Sequence, residues 1–525
     1  MNNIFLRKEN KEDYYNTEHM VLRAFWNIHD PGCNEHLLVH KLRESPDYLP
    51  ELSRVAEIDG KIAGAIFASK AKVVDNEKEH EVLTFGPLAV EPSCFSMGVG
   101  KALTEELIKL SREEGYSGIV ICGEPGYYPR LGFKTCDLFG IIHPDFGNSD
   151  AFMAYPLNES FEEIHGTFFE SPVFAECEDE EEIREYTKNF PYYKPLKLSA
   201  QWLHKERLGR ICEVRKNSFK IRFFEEELRA KLKGSFYEDA QKNYPLVGDY
   251  VTFLYNRTGD STILSVCERT STLKRPDQAK TAVMQYMVAN ADYTFIVTSL
   301  NDDYSFNRIA RYASIAFEGN SIPVVILTKS DLCNNVGRYV SEVETISEKI
   351  RVHAVSAILD IGLDELEEYF EPGNTICLMG SSGAGKSTLI NAIAKEEIMK
   401  TSEIREDDSK GRHTTTHRQM IVLKNGVCVI DTPGMREVGM AENEDGIDNT
   451  FSDIRELERY CKFSNCRHES EPGCAIKEAI ESGKLSRKRY ELFKNLGEEN
   501  RRNHAMKKEI SMLAKEYKKF NPKNR

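Results

Sequence analysis

The sequence predicts a multidomain chain with an α/β core, a β-barrel ahead of it and a small metal-bearing helical end. Three observations carry that prediction. At 525 residues the chain is too long for one ordinary hydrophobic core. From about Thr272 to Arg455, apolar runs alternate with helical patterns: YTFIVTSL (293–300), IPVVILT (322–328), NTICLMG (374–380) and VCVIDT (427–432). Such alternation predicts a mostly parallel sheet covered by helices. Beyond it, three cysteines and a histidine fall within one short polar stretch, 461–474.

The joints lie where composition changes. Residues 176–182 read ECEDEEE, an acidic run closing the first region, and 190–195 read FPYYKP, an irregular connector. Arg210–Val214, Ser218–Phe224 and Asp249–Leu254 are β-branched and aromatic runs bounded by Gly and Asn turns, so a β-rich domain is expected there. The expected limits are 1–190, 196–272, 273–455 and 456–525. No run of about 20 apolar residues suggests a membrane span. The start, MNNIFLRKENKEDYY, has no apolar signal core, so a cytoplasmic protein with no membrane contact is expected. Its 13 cysteines then read as reduced thiols, some recruited to metal. The net charge of −14 argues against nucleic-acid binding over the whole surface. Residues 477–525, however, carry 15 Lys and Arg against 7 Glu, a net +8 that suggests a local polyanion site or a solvated helix surface.

Gly380-Ser381-Ser382-Gly383-Ala384-Gly385-Lys386-Ser387 matches GxxxxGK[ST], follows the apolar run TICLM and, with Thr388, opens a helix-like stretch. The glycines let backbone N–H groups close around phosphate oxygens. Lys386 supplies charge to the β- and γ-phosphates, and the Ser387 hydroxyl can ligate magnesium. Asp431-Thr432-Pro433-Gly434 ends another apolar run. Its carboxylate can hold magnesium through water, and the Gly434 N–H can reach the γ-phosphate. Thr328-Lys329-Ser330-Asp331 follows IPVVIL. There Asp331 can accept both the N1–H and the exocyclic amine of guanine, a donor pair adenine lacks, while the Lys329 stem packs on the base. Val355-Ser356-Ala357 follows a second strand, and Ser356 and Ala357 can support the guanine oxygen. The base-reading motifs precede the phosphate loop, a rotated order similar to that of the circularly permuted GTPases. Such permutation costs little when the rejoined ends lie close together.

Within that class the chain resembles the RsgA/YjeQ family of small-ribosomal-subunit-dependent GTPases over about Leu196 to Arg502. LGRI (208–211), VGDYV (247–251), RTSTLKR (269–275), NADYTFIV (290–297), TKSDL, GSSGAGKSTLIN and DTPGMRE carry the resemblance. It implies an OB-fold, a permuted GTPase core and a switch segment at GRHTTT (411–416) in which either Thr414 or Thr415 is a magnesium ligand. The asparagine common at the first position of the base-reading motif is Thr328 here, which should soften guanine contacts. Met435 stands where many GTPases place a water-orienting glutamine. His413 is the candidate replacement, ordered when a partner fixes the switch; the competing reading packs it on the phosphate-loop helix.

Cys461, Cys466, His468 and Cys474 follow C-x4-C-x-H-x5-C, a ligand set for a closed tetrahedral Zn²⁺ site. A short polar segment cannot bury its own core, so the metal is expected to be structural. The spacing also resembles the zinc segment of the RsgA family, and the resemblance implies that this segment and the OB-fold clamp rRNA on the 30S subunit.

Residues 1–190 lie outside that family pattern. PLAVEPSCFSMGVGKALTEELIKLSREEGYSGIVICGEPGYYPRLGF (87–133) resembles the GNAT acetyltransferase core. Gly98, Val99, Gly100 and Lys101 open a helix whose N–H groups would take the pyrophosphate of acetyl-CoA. Leu88 and Val90 lie on the preceding strand, which can pair with the pantetheine arm. Tyr128 matches the GNAT tyrosine that protonates the departing thiolate. Phe95 stands where the pattern has glutamine or arginine.

The expected architecture is therefore an α/β GNAT-like domain, a β OB-fold barrel, an α/β circularly permuted P-loop GTPase domain and a small zinc-binding α-helical C-terminal region. The expected activity is GTP hydrolysis to GDP and phosphate, coupled to 30S maturation through rRNA, in a monomer carrying structural zinc, magnesium with GTP, and acetyl-CoA. The rival reading is an acetyltransferase regulated by a nucleotide-binding module, with no ribosome involved.

Overall fold

The computed structural model describes the chain except residues 1–3, 29–30, 77, 146, 197–205, 216–217, 235–243, 257, 277–283, 302, 400–417, 433–443 and 521–525. It divides into two compact units, Met1–Arg207 and Leu208–Arg525. No described helix is long and apolar enough to cross a membrane.

In the first unit the elements run β1 (Phe5–Arg7), α1 (Tyr14–Phe25), α2 (Glu35–Leu42), β2 (Arg54–Ile58), β3 (Lys61–Asp75), β4 (Lys78–Val90), α3 (Val99–Glu113), β5 (Gly118–Cys122), β6 (Lys134–Thr135), β7 (Ile141–Ile142), β8 (Phe152–Pro156), β9 (Gly166–Phe169) and α4 (Glu180–Thr187). One sheet holds them in the order β1-β2-β3-β4-β5-β8-β6, with β9 on β3 and β7 on β9. β3 and β4 form a long antiparallel hairpin. β4 and β5, by contrast, run parallel and share a single register pair, Leu83 with Ile119. Past that pair β4 has no further register partner in β5, while on its other side it stays paired with β3 as far as Val90 with Gly64. α3 covers one face of the sheet, burying Val99, Leu103 and Leu107 at a helical spacing.

His36 of α2 is fully buried, its Nε2 2.9 Å from the Thr187 hydroxyl of α4. Burial lowers its pKa to about 4. An unfolded histidine titrates near 6.5, so between those values the unfolded chain takes up a proton that the folded chain refuses. The stabilisation is complete above pH ~6.5 and is lost as pH falls toward 4, for a total of about 3 kcal/mol. We expect the melting temperature of this unit to fall over that window in the wild type, and the slope to flatten in His36→Gln, read by calorimetry across pH.

In the second unit the strands are β10 (Arg207–Arg215, starting at the junction), β11 (Ser218–Phe223), β12 (Glu226–Leu232), β13 (Tyr250–Leu254), β14 (Ser261–Val266), β15 (Thr272–Pro276), β16 (Met284–Ala289), β17 (Tyr293–Ser299), β18 (Ile322–Thr328), β19 (Arg351–Ala354), β20 (Thr375–Met379), β21 (Gln419–Val422) and β22 (Cys428–Asp431). The helices are α5 (Phe306–Glu318), α6 (Val336–Glu344), α7 (Lys386–Ala394), α8 (Glu444–Thr450), α9 (Ser452–Glu458), α10 (Ala475–Glu481) and α11 (Arg487–Phe520). Strands follow one another as β11-β12-β14-β13-β10, and β10 pairs back with β11. That closes a five-stranded barrel of OB topology around Ile211, Phe219, Ile221, Val251, Phe253 and Ile263. The pair Glu213 with Gln419 carries the sheet on through β21 and β22 to the parallel strands β20, β17, β18 and β19. Arg210 fastens the barrel to this sheet from within: it is buried, and its guanidinium donates to the carbonyls of Gly248 and Asn290 and to the Thr375 hydroxyl at 2.8 Å.

The parallel strands are buried on both faces, which explains their continuous apolar runs. One face packs on α5 and the C-terminal helices, the other on α7. The core of the first face extends into the cysteine-rich end, where Cys474, Ile476, Ala479 and Leu485 join Phe451 and Ile454. The segment expected to lean on metal alone is thus also anchored by apolar burial at its C-terminal edge.

Candidate functional site

Three loops and the end of β22 meet at the carboxyl edge of the parallel strands, where ligands of open α/β sheets bind. The loops follow β18, β19 and β20, and with Asp431 and Thr432 at the end of β22 they bring together motifs that are scattered along the chain. Chain order is rotated, but strand adjacency restores the grouping: β20 lies between β17 and β22, and β18 between β17 and β19.

The loop after β20 turns sharply at Gly380, where φ is 152° and an added Cβ would lie 2.2 Å from the Val297 carbonyl oxygen. Gly385, with φ 91°, is the N-cap of α7, so the first turn of that helix faces the loop. Lys386 Nζ donates to the Gly380 and Ser381 carbonyls at 2.9 and 2.7 Å, which keeps its charge inside the curl of the loop. Ser387 lies next along the helix. At the end of β22, Asp431 Oδ1 is buried and has no hydrogen-bond partner among the described residues. Burial pushes this carboxyl above its usual range, while Lys386 works the other way. A buried carboxylate oxygen left without a proton donor fits a divalent cation, and Ser387 and Asp431 are the described residues that would hold magnesium there. Bound, it would neutralise charge on the phosphate oxygens. Thr432 is turned away, its hydroxyl donating to the Leu378 carbonyl at 2.6 Å.

The base-reading pair is brought together by backbone. Ser330 N–H donates to the Val355 carbonyl at 3.1 Å, which seats the TKSD turn beside the VSA loop. Lys329 adopts φ 57°, lifting the next residues off the strand line, and the Asp331 carboxylate is exposed. Ser356 is buried, and its Oγ accepts from Leu359 N–H at 3.3 Å. Thr328 is buried, and its hydroxyl donates to the Ala384 carbonyl at 2.6 Å, tying the base-reading strand to the phosphate loop. His413, Thr414, Thr415 and Gly434 lie outside the described residues.

Cys461, Cys466, His468 and Cys474 converge, with their ligand atoms all within 4.8 Å of one another. His468 Nδ1 is 3.6 Å from Cys461 Sγ and 3.3 Å from Cys474 Sγ. Tetrahedral zinc would set neighbouring ligand atoms about 3.5–3.8 Å apart, so the donor set fits. His468 Nε2 lies 3.3 Å from Glu458, a carboxylate that fixes which ring nitrogen faces the sulfurs. The spacing pattern does not reveal Glu458, because it sits before the first cysteine on α9.

In the first unit, Gly98 (φ 87°) caps α3 beside the end of β4. A Cβ on Gly100 would lie 2.9 Å from the Tyr127 hydroxyl, so a side chain there would have to displace that phenol. Leu88 and Val90 lie in β4 beyond its one register pair with β5. Tyr128 is buried against Phe85 and Phe133, and burial pushes its phenol up, so it stays protonated at neutral pH and can serve as a proton donor.

Comparison with known proteins now decides the family. The family model described as RsgA GTPase matches residues 266–441. The chain is 43% identical over 292 residues to small ribosomal subunit biogenesis GTPase RsgA 1 of Listeria innocua, covering 55% of this chain and 83% of that one. It belongs to the RsgA family of GTPases. The RsgA 1 protein of Listeria monocytogenes is 41% identical over 309 residues, 59% of this chain and 86% of its own. YjeQ from Thermotoga maritima aligns in structure at 29% identity and a TM-score of 0.43, covering 55% of this chain and 97% of YjeQ. The acetyltransferase (GNAT) family model matches residues 18–133, a region outside the RsgA GTPase match. The N-acetyltransferase YhbS of Escherichia coli, solved with CoA, aligns at 25% identity and a TM-score of 0.30, covering 33% of this chain and 93% of YhbS. This RsgA chain is therefore a GTPase with a GNAT domain fused ahead of it.

Proposed function

We propose that this chain hydrolyses GTP on the small ribosomal subunit and that subunit contact sets the rate. The carrying observation is the convergence of TKSD, VSA, the phosphate loop and Asp431 on one edge of one sheet. In this reading Asp331 selects guanine, with Lys329, Ser330, Ser356 and Ala357 around the base and Thr328 bracing the loop. Gly380, Ser381, Ser382, Gly383, Ala384, Gly385, Lys386, Ser387 and Thr388 cradle the phosphates, and Gly434 donates to the γ-phosphate. Ser387, Asp431 and either Thr414 or Thr415 hold magnesium, while Cys461, Cys466, His468 and Cys474 hold structural zinc. The barrel and the basic tail contact rRNA, the protein works as a cytoplasmic monomer, and the functional domains divide near 190, 272 and 455. His413 orients the attacking water. We expect purified 30S subunits to raise the GTPase rate, and His413→Ala to lower that stimulated rate about tenfold or more while GTP affinity holds. Equal rates with and without subunits would remove the ribosomal part of the reading.

The fused domain reads as an acetyl-CoA site, with Gly98, Val99, Gly100 and Lys101 at the pyrophosphate, Leu88 and Val90 along the pantetheine, and Tyr128 as the acid. Calorimetric titration with acetyl-CoA checks this, since a docking module would give no heat of binding. The rival account, an acetyltransferase merely regulated by nucleotide, is disfavoured by relatives that carry the name RsgA and match along more than four-fifths of their length.

A further inference from the structure

The turn after β17 has a contact on each of two sides. On one side, the Ser381 hydroxyl in the phosphate loop donates to the Asp303 carboxylate. Arg308 of α5 holds Asp303 in place, 3.0 Å from its carboxylate and hydrogen-bonded to its carbonyl. On the other side, the Tyr304 hydroxyl donates to Glu342 of α6 at 3.0 Å, and its ring stands edge-on to Tyr339 with centroids 4.6 Å apart. Glu342 forms an ion pair with Lys488 in the first turn of α11. The Lys488 ammonium also lies 4.6 Å from the centre of the Phe306 ring. Adjacent residues of one short turn thus grip the phosphate loop and, through Glu342, the C-terminal helix.

Chemistry sets the first of these grips against a bound nucleotide. A serine has one hydroxyl proton, so Ser381 can donate it to Asp303 or to a phosphate oxygen but not to both. The Asp303 carboxylate also repels phosphate charge at short range, most strongly for a triphosphate. We infer that Asp303, Tyr304 and Phe306 couple the nucleotide to the C-terminal helix: phosphate displaces Asp303 from Ser381, and that shift passes through Tyr304 and Phe306 to Glu342 and Lys488. Coupling then runs between two arrangements, Asp303 on the Ser381 hydroxyl as in this structure and Asp303 displaced from it by phosphate. The coupling is reciprocal, so a polyanion that draws Lys488 away from Glu342 changes the preference between GTP and GDP by the same factor that nucleotide changes polyanion affinity. This inference rests on the reading of 380–387 as the GTP site.

The test uses the full chain and fluorescent GDP and non-hydrolysable GTP analogues, with the ratio of the two dissociation constants as readout. Asp303→Asn should tighten the GTP analogue relative to GDP about tenfold. Tyr304→Phe and Lys488→Gln touch no part of the phosphate loop, yet each should shift the ratio about fivefold. Lys488→Arg, which keeps the ion pair, should restore it. The Asp303→Asn, Tyr304→Phe double variant should be non-additive. If Tyr304→Phe and Lys488→Gln melt like the wild type and leave the ratio unchanged, the coupling is overturned and the GTP site stands. If the wild-type chain binds neither nucleotide, the GTP-site reading falls and this inference falls with it.

Discussion

Asp331→Asn will weaken GTP binding about a thousandfold, or ~4 kcal/mol, and will improve binding of xanthosine triphosphate. The wild-type carboxylate has two acceptor oxygens for two donors, the N1–H and exocyclic amine of guanine, and hydrogen bonds to a charged group contribute about 1.5–3 kcal/mol each. The asparagine amide removes the charge and presents an N–H₂ to the exocyclic amine, so one bond is lost and a donor faces a donor. Xanthine carries a carbonyl where guanine carries that amine, and the new N–H₂ suits it. The exposed position of Asp331 on the turn seated against Val355 makes this a local change. Equilibrium titration with the three nucleotides GTP, ATP and XTP measures it. A variant that loses all three equally would show a collapsed pocket instead of altered selection, and a variant that keeps GTP affinity would remove Asp331 from the base site.

The parts of this site that were legible in the sequence are those built on strand ends. β18, β20 and β22 announce themselves as continuous apolar runs, and parallel strands put their following loops on one edge whatever their order in the chain. The barrel was readable from its β-branched runs, but its closure was not, because the pairing of β12 with β14 and of β13 with β10 joins strands that are not neighbours in the chain. The role of Thr328 was hidden for a related reason. Its identity suggests a weakened base contact, whereas its bond to the Ala384 carbonyl depends on how closely β18 approaches the phosphate loop. Asp303 carries no motif at all. It matters only because β17 lies beside β20, which places the turn after one strand against the loop after the other. Glu458 was unreadable because a carboxylate behind a metal-binding histidine has no fixed sequence spacing.

Cys461→Ser will abolish stoichiometric zinc and destabilise the C-terminal end by about 3 kcal/mol or more, while GTP binding persists. The magnitude follows from two opposing features of the segment. Zinc binding supplies about 10–16 kcal/mol in isolated finger peptides, which have no other core. Here Cys474 is buried in the core shared with Ile476, Ala479 and Leu485, so the C-terminal edge stays anchored without metal and the loss is smaller. The rest of the loop is held less firmly: residues 462–472 are mostly exposed and carry Lys462, Arg467, Glu469 and Glu471, with Cys466 only partly buried against that core. With one thiolate gone, His468 Nδ1 and the two remaining sulfurs form an incomplete tetrahedron, and the Glu458 bond to His468 cannot compensate. Proteolysis should therefore cut first within 462–472 in the variant, before any site on α10 or α11, and zinc content should fall from one per chain to near zero. Guanine nucleotide affinity should change less than twofold, because no zinc ligand touches the phosphate or base loops. Full zinc occupancy in the variant would show that the four side chains are not one site, and equal protease resistance would show that apolar burial alone holds this end together.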